Sequence, residues 1–208
     1  MLAARDLACR RGNRIIFRGL NLAVHAGQLV WLRGSNGSGK TSLLRLLIGL
    51  GRPDAGSVLW QGQPVRRFMG GRVLPSVYVA HANALKEDLT VAEALAFNAE
   101  LHGRDTSIAA IVRALGVFGI AHLVSLPVRT LSQGQRRRVA LSQLALCDGP
   151  ALWILDEPFD ALDVQSVARL NHTLVEHLGR GGAIVLTSHQ ALALEAVTPI
   201  VFDMDSLH

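Results

Sequence analysis

The sequence contains few cysteines, few lysines, a single tyrosine and no long hydrophobic run. Only Cys9 and Cys147 carry thiols among the 208 residues, and neither belongs to a CxxC pair. Isolated cysteines of this kind argue against a disulfide framework and against a cysteine-based metal site. The longest stretch without a charged residue, Ala114–Val128, has 15 residues. A membrane-spanning helix needs about 20 mainly apolar residues, so we expect no spanning segment.

Positive charge is in excess, and almost all of it comes from arginine. The formal net charge is +5, and only Lys40 and Lys86 are lysines among the 21 basic residues. This balance fits either an acidic partner, such as nucleic acid or a membrane surface, or a plain bias toward arginine. The arginines are scattered, and the run Arg136–Arg138 is typical of a solvated helix face. We therefore expect no nucleic-acid partner.

Half of the residues are apolar, and the mean hydropathy is +0.30. These values exclude an intrinsically disordered chain, because disorder goes with low hydrophobicity and high net charge. The length fits a single domain of about 100–200 residues. The first residues, Met1–Asp6, lack the apolar core of a secretory signal peptide. We expect a cytoplasmic protein.

Strand-like and helix-like segments alternate along the chain, which indicates a parallel sheet. The segment up to Leu32 predicts short strands. The predicted strands are Leu20–Val24, Gln28–Leu32, Val58–Trp60, Val77–Val79, Ala151–Leu155, Ala183–Leu186 and Ile200–Phe202. The predicted helices are Thr41–Leu50, Thr90–Leu101, Ser107–Leu115, Gln133–Cys147 and one with the apolar stripe Val164, Val167, Leu170, Leu174 and Leu178. The all-helical middle, residues 84–147, is typical of an insertion into the sheet.

A glycine-rich segment fits the pattern G-x-x-x-x-G-K-[ST] and lies between a predicted strand and a predicted helix. Triphosphate oxygens need backbone N–H groups at close range, and glycines allow that approach. The helix amino terminus adds a positive field. Lys40 would reach the β- and γ-phosphates, and the Thr41 hydroxyl would bind Mg²⁺. We predict that ATP binds along this phosphate loop, which comprises Gly34, Ser35, Asn36, Gly37, Ser38, Gly39, Lys40, Thr41 and Ser42.

Two carboxylates follow the apolar strand Ala151–Leu155 directly. Ligands in open α/β sheets bind at the carboxyl ends of the strands. Asp156 suits the Mg²⁺ shell, and Glu157 can polarise an attacking water. Alone, either carboxylate could simply cap the next helix. Together with the phosphate loop, the pair indicates a nucleotide hydrolase.

The segment Leu131–Gln135 reads Leu-Ser-Gln-Gly-Gln and resembles the signature sequence of ATP-binding cassette (ABC) ATPases. The order of the motifs also matches that family: Lys40, Ser132, Asp156, Asp163 and His189. The resemblance implies an α/β P-loop NTPase core with a parallel sheet, an N-terminal antiparallel β subdomain and an inserted α-helical subdomain. On this basis residues 1–208 form one nucleotide-binding domain, with residues 84–147 as its inserted subdomain.

The resemblance also implies roles for single residues. Members of the family pair head to tail and enclose two ATP molecules between two copies. Ser132, Gly134 and Gln135 would then contact the nucleotide held by the second copy, and Asp163 would lie at the seam. His189 would contact the γ-phosphate and orient water together with Glu157. The catalytic set is therefore Glu157, His189 and Lys40, and the metal ligands are Thr41 and Asp156.

Two positions depart from the family pattern. The family stacks adenine on an aromatic residue near the amino terminus, where this chain has Arg10 and Arg11. A guanidinium plane can also stack on a base, so we predict that Arg11 or Arg10 takes this place and that base selectivity is weak. The family has a glutamine after the strand Val77–Val79, where this chain has His81. We predict that His81 takes over the coupling to a membrane partner and adds pH sensitivity.

The histidine at this position and a short cassette without a C-terminal extension resemble the haem-exporter ATPases of cytochrome c maturation. The resemblance implies an ATPase (ATP + H2O to ADP + phosphate) that drives haem export or release of a haem-bound chaperone complex. Its partners would be transmembrane subunits and a second copy, with membrane contact through those partners only, at the cytoplasmic face of a bacterial inner membrane. The alternatives are the ATP-binding subunit of another small transporter and a soluble cassette ATPase acting on ribosomes or DNA.

Overall fold

The computed structural model describes residues 2–65, 74–147, 149, 151–192, 194 and 197–207. Its first sheet is antiparallel and has the strand order β2-β1-β4-β5. These strands are β1 Leu2–Arg11, β2 Arg14–Val24, β4 Ala55–Trp60 and β5 Gln63–Pro64. Strand β1 pairs with β2 and β4, and β4 also pairs with β5, so β1 and β4 are the two inner strands.

The second sheet is parallel throughout and has the order β6-β7-β8-β3-β9. Its strands are β3 Leu29–Arg33, β6 Ser76–Val79, β7 Leu152–Leu155, β8 Ala183–Thr187 and β9 Ile200–Asp203. Every residue of β7 and β8 is buried. Strands covered on both faces are near-continuous apolar runs, and these two central strands follow that rule.

Five helices accompany the sheets in the described part of the chain: α1 Lys40–Leu47, α2 Val91–Leu101, α3 Ile108–Val117, α4 Gln133–Ser142 and α5 Val164–Gly179. Helix α1 packs with the antiparallel sheet in one apolar core. Helices α2 to α5 share a second core with side chains of the other face of the parallel sheet. The parallel sheet thus separates two cores, one on each of its faces. That residues 84–147 form a separate subdomain stays a prediction.

Some element boundaries differ from those that the sequence predicts. Helix α1 ends at Leu47, because the chain turns at Gly49 with a positive φ of 80°. Helix α4 ends at Ser142 and continues as a 3-10 turn over Gln143–Leu146. Strands β1 and β2 are 10 and 11 residues long, not short. Register shifts after Ala4 interrupt the alternation in β1, which is why a period of two does not reveal its full length.

Two predictions about side-chain exposure are wrong. Val164 is 89% exposed, because it is the first residue of α5 and lies beyond the buried stripe of that helix. Arg137 is only 2% exposed, so the run Arg136–Arg138 is not a solvated helix face as a whole.

Across the described residues, no helix is both long and apolar enough to cross a membrane.

A fully buried histidine lies in the second core. His177 stacks on Trp153 with ring centroids 3.6 Å apart, and its Nε2 lies 3.0 Å from the carbonyl oxygen of Ala151. Burial lowers the pKa of His177 to about 4, so the ring is neutral at pH 7. A side chain added at Gly182 would collide with this ring. His177 is therefore a packing residue at the amino ends of β7 and β8, where the chain returns from α5 to β8.

Candidate functional site

The phosphate loop connects β3 to α1 and places Gly39 where a side chain would not fit. Gly39 caps the amino terminus of α1 in a left-handed conformation with φ of 99°. A Cβ atom at Gly39 would run into the side chains of Ile16 and Phe17. The first N–H groups of a helix have no partner within it. The close packing of Gly39 therefore holds the start of α1, and its free N–H groups, against the antiparallel sheet.

The side chains of the phosphate loop include an ammonium group and a buried hydroxyl. The ammonium group of Lys40 donates hydrogen bonds to the carbonyl oxygens of Gly34 (2.7 Å) and Ser35 (3.1 Å). The hydroxyl of Ser38 is buried and has no hydrogen-bond partner among the described residues. Buried polar atoms are nearly always paired. An unpaired hydroxyl and an ammonium group in one loop are donors that phosphate oxygens can satisfy, so the loop fits a nucleotide.

Asp156 lies at the carboxyl end of β7 and joins two elements. One carboxylate oxygen accepts a hydrogen bond from the Thr41 hydroxyl at 2.9 Å. The other accepts one from the Thr187 hydroxyl, also at 2.9 Å. Hydroxyl and carboxylate oxygens are the ligands that Mg²⁺ prefers, so Thr41 and Asp156 fit such an ion. Thr187 ends β8, and no sequence motif marks it, because a lone threonine carries no signal of its own.

Glu157 follows Asp156 and has its backbone in the left-handed region, with φ of 48°. For a residue other than glycine this conformation is strained. Its N–H donates to the Thr187 hydroxyl at 2.9 Å. Its carboxylate accepts a hydrogen bond from the backbone N–H of His189 at 3.0 Å, and the His189 Nε2 atom lies 3.5 Å from the other oxygen. Glu157 and His189 therefore form a pair at the ends of β7 and β8.

One cavity of about 510 Å³ brings many of the sequence-predicted residues together. A volume of roughly 300–1,000 Å³ is typical of a small-molecule site. The predicted residues that line it are Arg11, Asn36, Gly37, Gly39, Lys40, Thr41, Ser42, His81, Asp156, Glu157 and His189. They come from five segments that meet at the carboxyl edge of the parallel sheet and at the end of β1.

The remaining predicted residues lie apart from this cavity. Ser132 caps α4 through a reciprocal pair of hydrogen bonds with Gln135. Gly134 packs so closely that a Cβ atom would lie 2.9 Å from the carbonyl oxygen of Ala161. Asp163 caps α5, and hydrogen bonds from Ser166 lower the pKa of its carboxyl group. The caps of α4 and α5 therefore lie side by side, and both cap residues are exposed.

The two positions that depart from the family pattern, near the amino terminus and at His81, both contribute to the cavity lining. Arg11 is exposed at the end of β1 and lines the cavity. Arg10 instead pairs with Asp54, whose carboxylate also accepts the Arg10 backbone N–H at 2.7 Å. The His81 ring is 68% exposed, and its Nδ1 lies 3.5 Å from an Asp160 oxygen. Of the two arginines, only Arg11 thus lines the cavity.

The side chain of Asp205, near the C-terminus, also contacts the phosphate loop, and the sequence does not predict this contact. Asp205 accepts hydrogen bonds from the backbone N–H and from the hydroxyl of Ser35, at 2.8 Å and 2.9 Å. The neighbouring Met204 is fully buried and donates its N–H to the carbonyl oxygen of Arg33. No motif marks Asp205, because the contact spans 170 residues of sequence.

A parallel sheet with a phosphate loop after its first strand and an acidic pair at the end of another defines a P-loop nucleotide hydrolase. The chain belongs to the ABC transporter family, whose family model matches residues 17–160. Members of this family bind and hydrolyse ATP, so the chain is a nucleotide-binding ATPase. The fold class that the sequence predicts is confirmed.

Curated relatives match almost the whole chain. The cytochrome c biogenesis ATP-binding export protein CcmA of Aromatoleum aromaticum is 46% identical over 207 residues, which cover 100% of this chain and 96% of the relative. The protein of the same name from Escherichia coli K12 is 46% identical over 192 residues, 92% of this chain and 90% of the relative.

Solved structures of the same fold also align along most of the chain. An ABC transporter ATP-binding protein from Pyrococcus furiosus aligns with a TM-score of 0.83 at 23% identity, covering 99% of this chain and 98% of that chain. The ATP-binding subunit of another ABC transporter aligns with a TM-score of 0.81 at 26% identity, covering 90% and 79%. The fold therefore extends over both sheets and the helices between them.

Proposed function

We propose that the chain is the ATP-hydrolysing subunit of a membrane complex for cytochrome c-type biogenesis. The observation that carries this proposal is the identity of 46% over the full chain to a relative named a cytochrome c biogenesis ATP-binding export protein. The energy of ATP hydrolysis would drive haem export or the release of a haem-bound chaperone complex. The chain would act at the cytoplasmic face of a bacterial inner membrane, bound through transmembrane partner subunits.

Within this proposal the phosphate loop binds the triphosphate. Residues Gly34 to Ser42 supply backbone N–H groups, and the Lys40 ammonium turns from the loop carbonyls to the β- and γ-phosphates. The unpaired Ser38 hydroxyl supports this assignment. Thr41 and Asp156 would hold Mg²⁺, an ion that neutralises charge developing on the phosphates. Thr187 keeps the Asp156 carboxylate in place through its hydrogen bond of 2.9 Å.

Glu157 is proposed as the general base for hydrolysis. Its carboxylate would take a proton from water as the water oxygen bonds to the γ-phosphorus and the bond to the β–γ bridging oxygen breaks. The contacts with His189 support this role, since they hold the carboxylate at the cavity wall. His189 would contact the γ-phosphate from the same side. Both residues are held by strand ends, which makes their separation rigid.

A second copy of the chain would complete the site. The exposed caps Ser132 and Asp163 line no part of the cavity, although the resemblance assigns them to nucleotide binding. The two facts agree if these two caps face the cavity of a partner copy. Ser132, Gly134 and Gln135 would then offer the hydroxyl, N–H and amide groups at the start of α4 to the partner's nucleotide.

Arg11 is proposed to stack on the nucleotide base, which predicts weak base selectivity. We expect kcat/KM for ATP and GTP to agree within about threefold, because a guanidinium plane stacks on either purine. Arg11→Ala should raise KM for both nucleotides about five- to tenfold. Arg10→Ala is the matched control and should change KM less than twofold, since Arg10 pairs with Asp54. A strong ATP preference that survives Arg11→Ala would contradict the assignment.

Complementation of cytochrome c assembly tests the proposed function. The gene is expressed in a bacterial strain that lacks its own cytochrome c biogenesis ATP-binding subunit, and c-type cytochromes are measured by haem staining. The parent chain should restore them, and Lys40→Met should not. Arg18→Met, an exposed change on β2, serves as the control and should restore them fully.

Because His81 is proposed to couple the site to membrane partners, His81→Ala should retain ATPase activity in the purified protein but restore less cytochrome.

The other outcomes of this experiment identify the alternatives. If the parent chain reaches the membrane and hydrolyses ATP but restores no c-type cytochrome, it belongs to another small transporter. If it sediments with ribosomes or binds DNA, it is a soluble cassette ATPase. Either outcome contradicts the proposed function while leaving the ATPase chemistry intact.

A further inference from the structure

Arg137 is a buried arginine whose side chain is bonded to backbone at the nucleotide site. It lies in the second turn of α4 and is 2% exposed. Its guanidinium donates five hydrogen bonds, four of them to backbone carbonyls. The acceptors are the carbonyl oxygens of Ala80 (2.8 Å), Asp156 (2.9 Å), Glu157 (2.6 Å) and Pro158 (3.4 Å) and the side-chain oxygen of Asn83 (3.1 Å).

Ordinary ion pairing does not account for this placement. Within the described part of the chain, no carboxylate lies at ion-pair distance from the Arg137 guanidinium. Burial lowers the pKa of Arg137, and the carboxylates of Asp160, Asp156 and Glu157 act in the opposite direction. Removing a charge from water is costly unless its donors are paired. The carbonyl groups supply that pairing, and the planar fork of arginine fits several of them at once.

The carbonyl groups that accept hydrogen bonds from Arg137 belong to the segments that form the nucleotide site. Ala80 precedes His81 at the end of β6, and Asp156 and Glu157 follow β7. Glu157 itself has the left-handed φ of 48°, a conformation that the surrounding structure must hold in place. The shortest of the five hydrogen bonds, 2.6 Å, reaches the carbonyl oxygen of this residue. Arg137 therefore holds the strained peptide from one side, while Thr187 holds its N–H from the other.

We propose that Arg137 is a positioning residue that fixes the backbone of Glu157, and with it the direction of the catalytic carboxylate, relative to helix α4. This inference rests on the proposed role of Glu157 as general base. It assigns Arg137 no contact with nucleotide, since Arg137 does not line the cavity. Its loss should therefore slow hydrolysis and leave nucleotide affinity nearly unchanged.

Two substitutions of Arg137 separate hydrogen bonding from packing. Arg137→Met keeps an unbranched side chain without donors, and Arg137→Lys keeps the charge and three donors. The full-length chain is assayed for kcat and for the Kd of ATP. We expect kcat to fall at least tenfold in Arg137→Met and less in Arg137→Lys, with Kd within threefold of the parent in both. Partial recovery by lysine is a result that a purely space-filling role would not produce.

Two controls isolate the effect of position. Arg104→Met removes another arginine that donates to a backbone carbonyl, that of Ser76 at the opposite end of β6 (2.8 Å). Val139→Ala destabilises the same helix α4 through its apolar core. Both should lower the unfolding temperature and leave kcat within twofold of the parent. If Arg137→Met does not fold, Arg137→Lys against these two controls remains the test.

Three results would overturn the inference. One is a kcat for Arg137→Met within twofold of the parent. Another is an equal fall in kcat and in affinity. The third is a loss of kcat in Val139→Ala as large as that in Arg137→Met or Arg137→Lys. A parallel assay of Glu157→Gln separates these failures from failure of the proposed function. If Glu157→Gln is inactive while Arg137→Met is normal, only the role of Arg137 is wrong.

Discussion

Glu157→Gln is expected to reduce ATP turnover by at least about 100-fold, because positioned general bases contribute roughly 10²–10⁴ in rate. The substitution keeps the size of the side chain and removes only its capacity to accept a proton. The hydrogen bond from the His189 N–H can persist with the amide oxygen as acceptor. The phosphate loop and Asp156 are unchanged, so the Kd for ATP should stay within threefold. Phosphate release and nucleotide binding, measured on the purified chain, check both quantities.

Glu176→Gln provides the matched control for this result. Glu176 is exposed on α5 and does not line the cavity, so it should tolerate the same chemical change with full activity. Equal turnover in Glu157→Gln and in the parent would show that another group activates water. A large loss of affinity would show instead that Glu157 acts in binding rather than in catalysis.

Most of the cavity was predictable because its parts are local motifs at strand ends. The phosphate loop needs glycines at fixed spacing, and Asp156 and Glu157 directly follow an apolar run. Parallel strands place their carboxyl ends on one edge, so residues from distant motifs meet there without a separate signal. The pairing of Glu157 with His189 is an example, because β7 and β8 are neighbours in the sheet.

Other features depend on tertiary contacts that no local pattern reports. Arg137 looks like one of three equivalent arginines in the sequence, yet only its side chain turns inward to the carbonyls at the strand ends. Asp205 reaches the phosphate loop from the C-terminal turn. The buried His177 is accommodated only because Gly182 leaves room for its ring. Val164 fits the apolar period of α5 but lies before the helix meets the core.

The second large effect expected is the formation of a dimer that depends on ATP. Each cavity is proposed to be completed by the exposed start of α4 from another copy. ATP bound between two copies would join them, and hydrolysis would separate them. Glu157→Gln should therefore accumulate as a dimer, because it binds ATP without turning it over. Ser132→Arg, added to Glu157→Gln, places a bulky side chain at the α4 cap and should prevent this association.

The most direct measurement is the mass of the Glu157→Gln chain in solution, by light scattering, with and without saturating ATP. Without nucleotide we expect the mass of one chain, 22.3 kDa. With ATP we expect twice that value, and with Ser132→Arg added we expect one chain again. Two copies bound around shared nucleotide account for this pattern. A mass of one chain at saturating ATP, or a dimer that forms equally without ATP, would contradict it.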